Sequence, residues 1–296
     1  MLQFRELRLE DRQWVNECLK ASDFKGCEYS FANNYVWKDY YGVKYANING
    51  FYCSRSEKDD KYIYTYPAGK GDIKPIIDLL IEDSKENGKE FWLRGMSIEV
   101  AEELKKVFPD MFEYITDRDD SDYIYLTEKL ITLAGKKLHG KRNHIARFMD
   151  NNNWQYENIN KENIEECWEM SRDWSKAHSE RGNYSNDIAD NYAVKETFDN
   201  FFELELEGGL IRLDNKVIAF CIGEPLSSDT YVVHIEKAYA DIQGAYAMIN
   251  KQFVIEKCQN YKYVNREEDI GVEGLRRAKL SYYPEIIYDK YSAKLK

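Results

Sequence analysis

In the run Thr230-Tyr-Val-Val-His-Ile-Glu-Lys-Ala-Tyr239, His234, Glu236 and Lys237 interrupt an otherwise β-branched, aromatic and apolar stretch. A carboxylate whose proton affinity is raised by burial can deprotonate an attacking amine, and an imidazole can share that work. Glu236, His234 and Lys237 are therefore the candidate catalytic side chains. Strand alternation places His234 and Glu236 on one face and Lys237 on the other. A satisfied polar pair on a strand would present the same letters.

The next segment, Ala240-Asp-Ile-Gln-Gly-Ala245, puts Gln243 and Gly244 just before an apolar-periodic helix carrying Tyr246, Ile249 and Phe253. Such a helix start offers free N–H groups and a positive dipole end to an anion. Beyond a short strand, the corner from Asn265 to Lys279 mixes Glu267, Glu268, Asp269 and Glu273 with Arg266, Arg276, Arg277 and Lys279 around Gly271 and Gly274. Arg266, Arg276 and Lys279 are candidate anion ligands there; internal ion pairing or capping would explain them as well. Lys129 to Met149 holds Lys136, Lys137, Lys141, Arg142 and Arg147 without one acid, a basic island in a chain of net charge −11. Lys141 and Arg142 are its candidate phosphate ligands. A solvated linker whose cations pair with nearby acids is the competing reading.

These residues need a scaffold, and the periodicities supply one. Phe4 to Leu9 reads as a strand and Glu10 to Lys20 as a helix; a second helix opens at Ser30. Strands follow at 42–48, 50–56 and 61–66, then a helix over 73–87, a strand at 90–94, a Ser97-capped helix to Phe108, and strands at 112–116 and 123–127. The second half repeats that order from the strand at 154–158 through helices at 161–179 and 186–204 and a hairpin turning at Asp214-Asn215. The fold class expected is α/β with mixed sheets in two similar halves. The boundaries read 1–128 for the first half, 129–151 for a basic linker and helix, and 152–296 for the second.

Composition narrows the function. Phosphate binding needs an excess of Lys and Arg, so a net charge of −11 argues against DNA as a partner unless a local patch overrides it. The six cysteines, scattered without a C-x-x-C pair or a His at metal spacing, read as reduced thiols of a cytoplasmic protein with no metal site. No apolar run reaches the roughly 18 residues of a membrane span, and no signal segment opens the chain. Ser-His-Asp order, a P-loop and a dinucleotide fingerprint are missing from the letters.

The words Tyr231-Val-Val-His-Ile-Glu-Lys-Ala, Gln243-Gly-Ala-Tyr, Asn265-Arg-Glu-Glu-Asp-Ile-Gly and Gly274-Leu-Arg-Arg-Ala-Lys-Leu-Ser-Tyr-Tyr-Pro284 resemble those of a bacterial family related to the C-terminal transferase domain of phosphatidylglycerol lysyltransferases. The resemblance runs along nearly the whole chain. It implies two acyl-CoA N-acyltransferase (GNAT) folds in tandem, as in the Fem peptidoglycan aminoacyltransferases, and a donor that is an acyl-CoA or an aminoacyl-tRNA. It also implies that Arg266, Arg276 and Lys279 would meet the phosphates of that tRNA or of a small phosphorylated ligand. The usual CoA loop reads Arg or Gln, two residues, Gly, one residue, then Gly or Ala, whereas this chain has Asp241-Ile-Gln-Gly244-Ala-Tyr246. An acid repels pyrophosphate, so weak acyl-CoA binding is expected. The function expected is transfer of an acyl or aminoacyl group to an amine or hydroxyl, the alternative being a non-catalytic ligand- or peptide-binding protein on the same fold.

Overall fold

A computed structural model of the chain describes residues 2–180 and 187–296. Arg12–Ser22 (α1) and Phe31–Trp37 (α2) lead into Lys44–Ile48 (β1), Phe51–Lys58 (β2) and Lys61–Gly69 (β3). Lys74–Glu86 (α3), Glu90–Met96 (β4), Ile98–Val107 (α4), Phe112–Thr116 (β5) and Asp122–Leu126 (β6) follow. Ser30 and Ser97 cap α2 and α4 by accepting the backbone N–H groups of Asn33 and Val100. Phe4 to Leu9 does not form the expected strand: only Arg5 bridges to Tyr45, and Leu9–Asp11 coils into a short 3-10 turn.

Thr127–Thr132 (α5) and His139–Asn151 (α6) cross to the second half. There Trp154–Asn158 (β7), Ile164–Glu180 (α7), Asp187–Asp199 (α8), Glu207–Leu213 (β8), Lys216–Pro225 (β9) and Thr230–Ala238 (β10) precede Ala245–Phe253 (α9). Tyr263–Asn265 (β11), Glu273–Leu280 (α10), Ile286–Tyr288 (β12) and Tyr291–Leu295 (β13) complete the order. Asn186, the expected first residue of the helix that appears as α8, lies outside the described residues. The β8–β9 turn has positive φ at both Asp214 and Asn215, the geometry of a type I′ hairpin.

Among the described residues two sheets form, ordered β1-β2-β3-β4-β13-β5 and β12-β6-β11-β10-β9-β8-β7. Three antiparallel strands in the first sheet (β1 to β3) and four in the second (β7 to β10) are followed by one parallel pair, β3 with β4 and β10 with β11, and then by two antiparallel pairings. The strand after the parallel pair is in both cases supplied by the other half: β13 enters the first sheet and β6 the second. The expected division at 128 and 152 therefore does not coincide with sheet membership. Simple alternation cannot reveal such an exchange, because a strand carries the same pattern whichever sheet it joins. The two crossings touch, with Ser121 Oγ donating to Asp289 Oδ1 at 2.8 Å and Lys290 Nζ 2.7 Å from Asp122 Oδ1.

Among the described residues, three apolar clusters form the core. One joins α3 and α4 to the first sheet through Ile76, Leu80, Leu104, Phe91 and Ala293, and another joins α6 and α9 to the second through Ile145, Phe148, Met248, Val233 and Tyr231. The third runs between the halves, uniting Val15, Phe31 and Val36 with Trp174, Phe198, Phe220 and Ile235. No helix among the described residues is long and apolar enough to cross a membrane. All six cysteines are unpaired and buried.

Candidate functional site

The parallel ladder between β10 and β11 ends at Val232–Asn265, so β10 runs on past its neighbour and the two strands diverge. Side chains from the end of β10 and from the corner after β11 fill the opening. Within it β10 carries a bulge: Val233 pairs with Gly223 and Ile235 with the adjacent Ile222, leaving His234 as the extra residue. The bulge overturns the expectation that His234 and Glu236 share a face. His234 turns toward the first half and Glu236 toward α9.

His234 is held by two carboxylates. Nδ1 lies 2.7 Å from Glu267 Oε1 and Nε2 3.0 Å from Glu224 Oε1, while Glu224 also accepts from Ser30, the cap of α2. Burial would lower the imidazole pKa, but the bonds to Glu224 and Glu267 outweigh it and raise the value to about 10. The ring is an imidazolium at neutral pH, which removes it as a general base; its link to the first half runs through Glu224, which accepts from Ser30.

Glu236 is saturated differently. Oε1 accepts from Arg266 Nη2 at 2.8 Å and Oε2 from Asn250 Nδ2 at 2.8 Å. The pair is mostly buried, each side chain 11% exposed. Arg266 lies over Tyr282, its Cζ 4.8 Å from the ring centroid, and Lys141 of α6 places Nζ 3.9 Å from the same centroid. Burial, with Arg266 beside it, lowers the Lys141 pKa to about 8 against the opposing pull of Glu236. The fold thus gathers Lys141, Arg266 and Glu236 from three separate stretches. Asn250 and Tyr282 join them, and neither stood out as a letter; a polar residue on the apolar face of α9 was the one available signal for Asn250.

The other candidates are placed elsewhere. Lys237 points to the opposite face, where Nζ is 2.7 Å from Asp190 Oδ2 and 3.6 Å from the centroid of Trp174. Gly244, at φ +90°, makes a close approach, but to α6: a Cβ there would stand 2.5 Å from the His144 carbonyl oxygen and 3.0 Å from Phe148 Cβ. Gln243 beside it is exposed. Arg142 donates to the carbonyls of Leu133 and Gly135 and so braces the α5–α6 connection. Arg276 forks onto Asp269, at 2.8 and 2.6 Å, and reaches Asp119 at 2.5 Å. Lys279 is buried and donates to the carbonyls of Arg266, Glu267 and Glu268, pinning a corner in which Glu267 has φ +56°. Arg142, Arg276 and Lys279 are thus engaged inside the protein. The reason is local: each lies within reach of carbonyls or carboxylates that would otherwise be left unpaired.

A second polar centre sits where the strands cross. Lys290 Nζ is 2.7 Å from Asp122, 3.1 Å from Glu28 and 3.5 Å from Glu268, and 3.3 Å from Cys27 Sγ. Ligand atoms of Cys27, Asp122 and Glu268 lie within 4.8 Å of one another, a spacing that only tertiary structure creates. The Lys290 ammonium stands among them as the local cation. Burial raises Asp122 to about 7 against the pull of Lys290, whereas Lys290 and Lys279 overcome burial at Glu268 and draw it down to about 2. A separate groove of about 500 Å³, lined by Lys61, Phe91, Trp92 and Lys294 among others, shares no residue with either centre.

A family model described as "Phosphatidylglycerol lysyltransferase, C-terminal" matches residues 19–294. A conserved protein of unknown function from Bacteroides thetaiotaomicron is similar at 37% identity, with all of both chains covered and a TM-score of 0.95. The structure of L-PGS from Bacillus licheniformis superposes with a TM-score of 0.71 at 15% identity, covering 100% of this chain and 94% of that one. An uncharacterized protein of Mycoplasmoides gallisepticum is 27% identical over 189 residues, a match that spans 61% of this chain and 58% of that relative's length. The fold is the tandem N-acyltransferase type that the family resemblance implied, with the mixed sheets in two similar halves expected from the element order.

Proposed function

Because the chain belongs to the phosphatidylglycerol lysyltransferase C-terminal family, we propose that it transfers an activated acyl or aminoacyl group to an amine or hydroxyl acceptor. The observation that carries this reading is the convergence of Lys141 and Arg266 on the Tyr282 ring, with Glu236 fixing Arg266. An activated ester needs positioning, a proton acceptor and stabilisation of charge on the carbonyl oxygen, and little else. Neutral Lys141 takes the proton that the acceptor loses as the new C–N or C–O bond forms. Arg266 faces the negative charge that develops on the carbonyl oxygen, and the ester oxygen leaves with the bonding pair and the proton that Lys141 took. Glu236, bonded at both oxygens, orients Arg266 and is not the base.

The donor we favour is an aminoacyl-tRNA over an acyl-CoA. Asp241 repels a pyrophosphate at the start of α9, and Gly244 packs on α6. A second reading, a non-catalytic binder of the same donor, is favoured by the saturation of Glu236. Thermal unfolding with acetyl-CoA, a free aminoacyl adenylate analogue and aminoacyl-tRNA tests the donor, since a ligand that binds only the native state raises the midpoint. Stabilisation by aminoacyl-tRNA, weakened in Lys141→Ala, is the expected outcome. Stabilisation by acetyl-CoA alone would overturn the choice of donor.

A further inference from the structure

Most of the basic helix α6 faces outward, but Lys141 shares a stripe with the buried Ile145 and Phe148 at helical spacing. Its side chain is only partly exposed. Lys74, Lys105 and Lys129 each pair with a carboxylate. Among the described residues Lys141 has no carboxylate within ion-pairing distance; it rests on the Tyr282 ring next to the Arg266 guanidinium. The nearest acid to act on it, Glu236, is already bonded to Arg266 and Asn250. The ring face favours the ammonium, but withdrawal from water and the nearby second cation outweigh it, so Lys141 sheds its proton readily and the neutral amine left behind is a nucleophile.

We propose that Lys141 is a site of covalent acylation, reacting through Nζ with activated acyl compounds of the thioester, acyl phosphate or active-ester class. Nζ attacks the carbonyl carbon, a C–N bond forms, and the bond to the leaving group breaks. The leaving group departs with the electron pair, and the proton released by Nζ passes to it or to solvent. The product amide carries no charge, so acylation removes one of the two cations on Tyr282 and with it the proton acceptor assigned above. The modification itself requires no transfer activity of the protein.

The lowered proton affinity of Lys141 sets the expected rate. At pH 7.5 about a quarter of the Lys141 amine is neutral, against roughly one in a thousand for an ordinary lysine. Lower nucleophilicity of the less basic amine takes back part of that advantage, leaving about ten-fold. The native protein is treated with limiting isotopically light N-hydroxysuccinimidyl acetate, then unfolded and labelled to completion with the heavy reagent, so that mass spectrometry reads each lysine separately. Lys141 should acetylate about ten-fold faster than Lys74 and Lys105, and its rate should level off above about pH 8 while theirs continue to rise. Labelling of Lys141 at or below the rate of Lys74 and Lys105, or with their pH dependence, overturns the proposal. The Lys141→Arg chain, which lacks the acceptor, fixes the background.

Discussion

His234 keeps its proton because two carboxylates outweigh the burial that would strip it. Its folded pKa, about 10, lies above the unfolded value near 6.5. The stabilisation it contributes is therefore complete below about pH 6.5 and lost as pH rises through about 10. Its imidazole resonances should not titrate between pH 5 and 8.5 in the native protein; a midpoint near 6.5 would contradict the assignment. Lys290 makes the complementary case. Replacing it by Ala leaves Asp122, Glu28 and Glu268 together without their cation and should cost about 3–5 kcal/mol in urea unfolding at pH 7, an effect a loss below about 1 kcal/mol would refute. Asp122, raised to about 7, contributes stability that is full below its unfolded value near 3.8 and lost as pH rises toward 7.

At the scale of elements, α6 decides what the start of α9 can bind. Gly244→Ala should destabilise the protein by about 1–3 kcal/mol, since the residue has a left-handed φ and its new Cβ meets the His144 carbonyl. Calorimetry should find acetyl-CoA weaker than about micromolar; tighter binding, beyond some −8 kcal/mol, would show that the helix start is available to pyrophosphate. Much at this scale was legible beforehand. The capped helices at Ser30 and Ser97, the Asp214-Asn215 hairpin and the β10–α9 order follow from local propensities and turn chemistry, which act within a few residues. The bulge at His234 was not legible, because nothing in a β-branched run marks the residue that will be skipped. Lys141, Arg266 and Glu236 could each be singled out by type. Their meeting depends on how α6 packs against α9, so the letters could not separate Lys141 from Arg142, which turns to its own connection.

Across the whole molecule, the exchange of β6 and β13 binds the two halves into one body despite their repeated topology. The apolar cluster shared by α1, α2, α7, α8 and both sheets adds to that bond. Urea unfolding should follow a single transition by tryptophan fluorescence and far-UV circular dichroism alike, and two separated transitions would contradict it. Deleting residues 290–296 should leave β4 and β5 without the strand between them and prevent the first sheet from forming. The proposed transfer site spans the molecule, because its groups come from the linker helix, from β10 and from the corner after β11. The most direct measurement is transfer of radiolabelled amino acid from aminoacyl-tRNA to hydroxylamine, above the rate without protein, followed against pH for the wild type and Lys141→Met. Transfer that rises with pH through about 8 in the wild type, and falls about 100-fold in the variant at pH 7.5, is the predicted result; an inactive wild type, or a variant as active as the wild type, would contradict it.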